Sequence, residues 1–295
     1  MSIGMPVRNG QEFIRAGIAS LLGQTFGDLE LIISDNASTD ATRAICEEFA
    51  ERDNRVRYHR NAVNIGLQAN FAKVLALATA PYFMWGCPDD LWDASYVARM
   101  VAVLDSRESV VLSGSNAANI DGDGVQQDHF DNVSAYAPRK TGPRAHRFIC
   151  TPPGGGHATL IYGLMRTPVI QRVGFAPPGK VRDDNRGYYA TDLLTLFRLI
   201  FEGDFHVADE TLYFHRDLFT GRRGLQRLAG LASTFRNVHG YYGDLRTVVR
   251  GSALDERQQS ALVRASFMQE LRFYPAYGRP LVARRIALRA SGDGA

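Results

Sequence analysis

The chain has 295 residues, 45% hydrophobic and 22% charged, enough to bury a full core as one large domain or as a domain with an appendage. It holds no apolar run of about eighteen residues, which excludes an ordinary spanning helix. Its three cysteines (Cys46, Cys87, Cys150) are odd in number and far apart, which excludes a disulfide framework and a four-cysteine zinc site.

No basic-then-apolar leader precedes the first strand candidate, Ser2–Val7, so the strand opens the fold or a few upstream residues are missing. With the cysteine pattern, this sets the expectation of a cytoplasmic protein. A helix follows with Ile14, Ile18, Leu21 and Leu22 on one face. Strand Leu29–Ser34 leads to a helix capped by Ser38 that carries Ile45 and Phe49. Strand Arg55–His59 comes next, then a helix with Leu67, Phe71, Val74, Leu75 and Ala78 on a stripe. Strand Tyr82–Trp85 precedes a helix from about Asp93 to Leu104 and strand Val110–Ser113.

From Ala117 to Pro153 the pattern weakens toward irregular structure with edge strands. His157–Arg166 reads as a strand, Pro177–Tyr188 as a loop long enough to move over a site, and Asp192–Phe201 as an apolar helix. Phe205–Ala208 and Thr211–His215 read as two short strands, and the remainder as helices up to Pro275. Alternating strands and helices with short connections predict an α/β class with a mostly parallel sheet. Domain bounds are expected at 1–220, divided near 115, and at 221–295.

The chemistry concentrates where apolar runs end in carboxylates. Leu29–Ser34 runs into Asp35-Asn36-Ala37-Ser38-Thr39-Asp40, and Tyr82–Trp85 runs into Gly86-Cys87-Pro88-Asp89-Asp90. Ligands of open α/β sheets bind beyond the carboxyl ends of the strands. Two acidic strand ends therefore point to a nucleotide site, with one carboxylate for base or ribose and others for a metal on the diphosphate.

An ordered set of segments resembles the family 2 glycosyltransferases over Ser2 to Arg216. The segments are Gly4–Gly10, Ser20–Phe26, Leu31–Asp40, Asn61–Gly66, Trp85–Asp90, Ile161–Arg166, Thr191-Asp192 and Tyr213–Arg216. The resemblance implies a GT-A type fold: a mixed, mostly parallel sheet flanked by helices, with residues 221–295 as a helical extension. It also implies inverting transfer of a sugar from a nucleotide donor to an acceptor hydroxyl, assisted by Mn2+ or Mg2+.

Residue by residue, the resemblance assigns Asp89 and Asp90 to the donor ribose and the metal, with His215 as a further ligand. Arg216 would lie near the diphosphate. Asp35 would accept a base N–H, and Asn36 would bond ribose hydroxyls. Pro6, Val7, Arg8, Asn9, Ser38 and Asn64 complete the donor set, and Asp192 is the catalytic base. This chain has Cys87 and Asn36 where the family often has carboxylates, and Thr191 where it usually has Glu. The loss at position 87 reads as one metal ligand fewer.

Plainer readings stand beside these. Asp89-Asp90 and Asp192 can be helix N-caps, Ser38 and Asp40 helix-start residues, and Pro6, Arg8 and Asn9 a simple turn. His215 can be a core histidine, and Trp85 and Trp92 core packing or sugar platforms. Gly154–Gly156 can be a joint or an anion cradle, and Asp183-Asp184 a charged surface or part of an acceptor lid. At the level of the whole chain, the alternatives are a non-catalytic nucleotide-sugar or polysaccharide binder and a sugar-phosphate nucleotidyltransferase.

Net charge is +3, composed of −5 over the first 220 residues and +8 from Gly221 onward. The basic end, with Arg279, Arg284, Arg285 and Arg289 among Leu281, Val282, Ile286 and Leu288, allows peripheral contact with an anionic membrane carrying a glycan or lipid-linked acceptor. Solvated helix faces are the more ordinary reading, and a dimer contact or a cover over the sheet are the others. No interleaved aromatics accompany the arginines, so nucleic acid is not an expected partner.

Overall fold

A computed structural model describes residues 1–130, 133, 137, 140–151, 156–175, 190–217 and 231–272. Strands β1 (Ser2–Val7), β2 (Glu30–Asp35), β3 (Val56–Arg60) and β4 (Tyr82–Trp85) are parallel and alternate with α1 (Ile14–Leu22), α2 (Thr42–Arg52) and α3 (Leu67–Leu77). The chain continues through β5 (Leu91–Trp92), α4 (Tyr96–Ser106), β6 (Val110–Ile120), β7 (Gln126–Phe130) and α5 (Thr141–Cys150). A 3-10 helix (Gly156–Tyr162), β8 (Leu164–Arg166), α6 (Thr167–Val173), α7 (Thr191–Leu199), β9 (Asp204–Arg216), α8 (Leu231–Arg250) and α9 (256–272) follow.

Among the described residues, nine strands form one sheet in the order β3-β2-β1-β4-β8-β6-β9-β5, with β7 on the far end of β6. Strand β8 runs antiparallel to β4 and β6, and β5 antiparallel to β9. Side chains of successive strand residues alternate between two apolar layers. Ile3, Met5, Leu31, Ile33 and Met84 pack with Ile14, Ile18 and Leu21 of α1 and Val97 of α4. Ile32, Phe83 and Trp85 face the opposite layer with Val74, Phe148, Leu194 and Phe197. Trp85 and Trp92 are both buried, as core packing requires. Val238, Tyr241, Leu245 and Val249 of α8 and Leu262 of α9 share that second layer. No helix among the described residues is long and apolar enough to cross a membrane.

Several expectations need correction. Residues 157–162 are a 3-10 helix and only Leu164–Arg166 is a strand. Buried His157, Leu160 and Ile161 are three and one apart, a helical spacing hidden in a β-rich composition. The two short strands after Phe205 are one strand, β9, which is parallel to an equally extended β6 with register shifts near Ser115 and Asn116. Helix α5 occupies a stretch expected to be irregular, burying Ala145, Phe148 and Ile149. Its buried Arg144 donates to the Ile200 and Gly203 carbonyls and pairs with Asp204 at 3.3 Å. Ser38 does not cap α2; Asp40 Oδ1 receives the Thr42 N–H at 3.0 Å, and Ser38 Oγ receives the Asn9 N–H at 2.9 Å. The loop expected over Pro177–Tyr188, Asp183-Asp184, Gly154-Gly155 and the arginines from Arg279 to Arg289 lie outside the described residues.

Candidate functional site

The carboxyl edge of the parallel strands carries the site. In register, Val7 stands beside Asp35 and Gly4 beside Trp85, so the segments following β1, β2 and β4 emerge on one side of the sheet. A cleft of about 280 Å³ opens there, lined by Pro6, Val7, Arg8, Asn36, Asn64, Gly66, Leu67, Asn70 and Phe71. Five of the expected donor-binding residues line it.

Asn36 organises that cleft. Its Oδ1 accepts the Ile65 N–H at 2.8 Å and the Asn61 amide at 3.1 Å, and its Nδ2 donates to Asn64 Oδ1 at 2.7 Å and to the Gly66 carbonyl at 3.2 Å. Asn64 Oδ1 also takes the Gly66 N–H at 2.9 Å. A fourfold-bonded carboxamide has used its capacity, so Asn36 shapes the lip through the 61–66 loop. Asp35 is fully buried beneath it, accepting the Ser38 N–H and the Tyr58 hydroxyl, each at 2.8 Å, with Arg60 at 3.4 Å. Burial, then the hydrogen bond to Asp35, pushes the Tyr58 phenol well above its ordinary range. Asn9 takes positive φ (54°), a conformation Asn tolerates, and its Oδ1 receives the Thr39 N–H at 2.9 Å.

A second group sits on the loop after β4. The Cys87 sulfur and one oxygen each from Asp89 and Asp90 lie within 4.8 Å of one another. Asp90 is fully buried; its Oδ1 accepts the Arg216 N–H at 2.8 Å, its Oδ2 accepts the Tyr213 hydroxyl, and His215 Nδ1 lies 3.2 Å from Oδ1. Arg216 braces the loop by donating to the Asp89 carbonyl at 2.8 Å and the Gly122 carbonyl at 2.7 Å, its guanidinium 4.6 Å from the Phe13 ring. Strand β5, not a helix, follows the pair, so its carboxylates are not caps.

Burial, then the Asp90 charge, raises the Asp89 carboxyl above its usual value. Burial also pulls the His215 imidazole down, but its hydrogen bond to Asp90 and the charges of Asp90, Asp89 and Asp217 raise it on balance. Negative groups crowded in a half-dry pocket fit a divalent cation, which would offset their repulsion.

Asp192 lies in the first turn of α7 rather than at its cap, which is Ala190. Burial raises its carboxyl, while hydrogen bonds from the Leu193 and Asp192 backbone oppose the rise. Two links bring it toward the other groups. Gln68, beside cleft residue Leu67, donates to the neighbouring Thr191 hydroxyl at 2.7 Å. The Tyr162 phenol is pushed far up by burial, with Cys87, Asp90 and Asp192 all adding to the shift. Tyr162, tilted against Tyr213 with ring centroids 5.4 Å apart, carried no expected role despite lying in a matching segment.

This sheet, with a cleft and an acidic group on the same carboxyl edge, is the GT-A type α/β fold. The chain superposes on Staphylococcus aureus TarS (residues 1–349) with a TM-score of 0.65 at 16% identity, covering 90% of this chain and 70% of that one. It also superposes on the mannosyltransferase PcManGT from Pyrobaculum calidifontis, in complex with GDP-Man and Mn2+, with a TM-score of 0.60 at 16% identity, covering 100% and 75%. In sequence it is 26% identical over 146 residues to glycosyltransferase GlyA of Streptococcus pneumoniae, covering 46% of this chain and 21% of that protein. The match spans about a fifth to two fifths of the length of such curated relatives. Residues 2–173 match Glycosyl transferase family 2, and the chain belongs to that family.

Proposed function

We propose that this chain transfers a sugar, with inversion, from a nucleoside diphosphate sugar to an acceptor hydroxyl of a cell-envelope glycan or glycolipid. The observation that carries the reading is the common edge shared by the Asn36–Asn64 cleft and the Cys87–Asp89–Asp90 group. The nucleoside lies in the cleft against Pro6, Val7, Arg8 and Asn64, on the lip that Asn36 fixes. Asn9 and Ser38 hold the turn behind it. Asp35, fully buried beneath that lip, supports the base pocket from behind through its bonds to Ser38 and Tyr58 and its contact with Arg60.

Asp89 and Asp90 would hold the metal side of the donor, with His215 beside them, 3.2 Å from Asp90 Oδ1. What a bound Mn2+ or Mg2+ supplies there is positive charge for the diphosphate oxygens. Asp192 removes the acceptor hydroxyl proton as that oxygen bonds to the anomeric carbon. The bond from that carbon to the diphosphate breaks, and the nucleoside diphosphate departs with its electron pair. Support comes from the Mn2+ and GDP-Man in PcManGT and the UDP-GlcNAc bound to TarS, both on this fold.

The test is donor turnover with a panel of UDP- and GDP-sugars, with and without chelator, and nucleoside diphosphate binding by calorimetry. Release of nucleoside diphosphate that chelator abolishes is the expected result. Donor binding with no turnover under any acceptor or metal would make the chain a binding protein instead.

A further inference from the structure

We propose that Cys87 is itself a metal ligand, so that the cation is held by one sulfur and two carboxylates and the site prefers thiophilic cations over Mg2+. This rests on the metal-dependent reading above and deepens it. Position 87 looks in sequence like a lost carboxylate, yet the thiol stays in the donor group. Its Sγ lies within 4.8 Å of both carboxylate donors and donates to Asp89 Oδ1 at 2.7 Å. That span is about twice a metal–donor bond of ~2.0–2.4 Å, so one ion can touch all three with small side-chain rotations.

The backbone that presents the sulfur is fixed. Gly17 of α1 packs so close that a Cβ on it would stand 2.6 Å from the Pro88 carbonyl oxygen and 3.4 Å from that of Cys87. A Cβ on Gly86 would stand 2.9 Å from Leu21 Cδ1, and the Gly86 N–H donates to the Gly4 carbonyl at 2.9 Å. Arg216 holds the Asp89 carbonyl from the other side. The backbone that carries the thiol therefore sits at one defined place on the rim of the acidic group.

Ligation is an exchange: the S–H bond breaks, its proton leaves to solvent, and the sulfur pair bonds to the cation. A thiolate is a soft donor that Zn2+, Co2+ and Cd2+ accept readily, Mn2+ less so and Mg2+ poorly. Two hard carboxylates retain affinity for Mn2+. The ranking on this chain is thus Zn2+, Co2+ and Cd2+ first, Mn2+ next and Mg2+ last. An all-carboxylate site would discriminate far less against Mg2+.

The test is a Co2+ titration of the full chain followed by absorption, beside competition binding of Mn2+ and Mg2+. The expected result is a sulfur-to-cobalt charge-transfer band saturating at one ion per chain. The band persists in Cys150→Ser and disappears in Cys87→Ser, which binds Co2+ at least about tenfold more weakly while its Mn2+ affinity moves less. Cys87→Asp, which restores an oxygen donor, lacks the band and gains relative affinity for Mg2+. Cobalt bound without the band, or a band unchanged in Cys87→Ser, overturns sulfur ligation and leaves the metal-dependent reading standing. Binding of none of these ions overturns both, whereas sulfur ligation without donor turnover overturns only the transferase reading.

Discussion

Asn36 Oδ1 holds the Ile65 backbone N–H at 2.8 Å while the same carboxamide donates to Asn64 and Gly66, so a single side chain at the end of β2 sets the shape of the cleft lip. Asn36→Asp keeps the size and removes the donor. Asn64 Oδ1 and the Gly66 carbonyl would then face a carboxylate. Turning the Asn64 amide to relieve this strips the Gly66 N–H of its acceptor. The expected cost is about 1–3 kcal/mol of stability with a raised donor KM and a smaller change in kcat. Chemical denaturation and donor titration check it, and an unchanged stability with unchanged KM would remove Asn36 from this role.

The same residue shows where the sequence was readable and where it was not. Strands β1, β2 and β4 stand out because burial on both faces demands continuous apolar runs, and α1 because Ile14, Ile18 and Leu21 repeat at helical spacing. The acidic ends were legible because strand ends in such a sheet gather on one edge. That Asn36 bonds a loop 25 to 30 residues away was not legible, since the pairing exists only once β2 and α3 are packed. Helix α5 escaped for a related reason: its buried Arg144 reads as a surface charge until Asp204 and the carbonyls after α7 surround it. The union of two strand candidates into β9 likewise depends on β6 alongside, which pairs with Ala208 and again with Thr211 while Asp209 and Glu210 bulge between them.

Gly17→Ala tests whether the acidic loop is fixed from α1. The added Cβ meets the Pro88 carbonyl oxygen at 2.6 Å, and a backbone atom cannot swing aside as a side-chain tip can. Overpacking of this kind costs about 1–3 kcal/mol. Displacement of the Cys87–Asp90 loop by a fraction of an ångström should weaken turnover by as much as about 100-fold. Gly27→Ala, with nothing within 4 Å of its new Cβ, is the matched control and should behave as wild type. Equal thermal midpoints and equal rates for the two variants would contradict the close-packing argument.

Tyr162→Phe removes the hydroxyl whose surroundings include Cys87, Asp90 and Asp192, while the ring keeps its packing on Tyr213. Tyr162 is expected to act as a positioning residue between the two halves of the site. Turnover is expected to fall about tenfold with little change in thermal midpoint, the loss of one hydrogen bond to a polar or charged partner. A purely structural tyrosine would instead lower the midpoint and leave the turnover of the folded chain in place.

Asp192→Asn separates catalysis from stability at one position. Burial raises the Asp192 carboxyl above its ordinary value of 3.8, so the folded chain holds this proton more tightly than the unfolded chain does. The ionised group therefore opposes folding. Its penalty is absent below the unfolded pKa, grows as pH rises toward the folded pKa, and is complete above it. A neutral amide carries no such penalty, so Asp192→Asn should melt higher than wild type near neutral pH and lose that advantage in acid. Catalysis runs the other way. A base must be ionised, so wild-type turnover should fall as pH drops through a value above the ordinary aspartate range, and the variant should lose about 100- to 10,000-fold at neutral pH. Melting curves and pH–rate profiles on the same preparations check both signs, and a variant that keeps wild-type turnover would show that another group takes the acceptor proton.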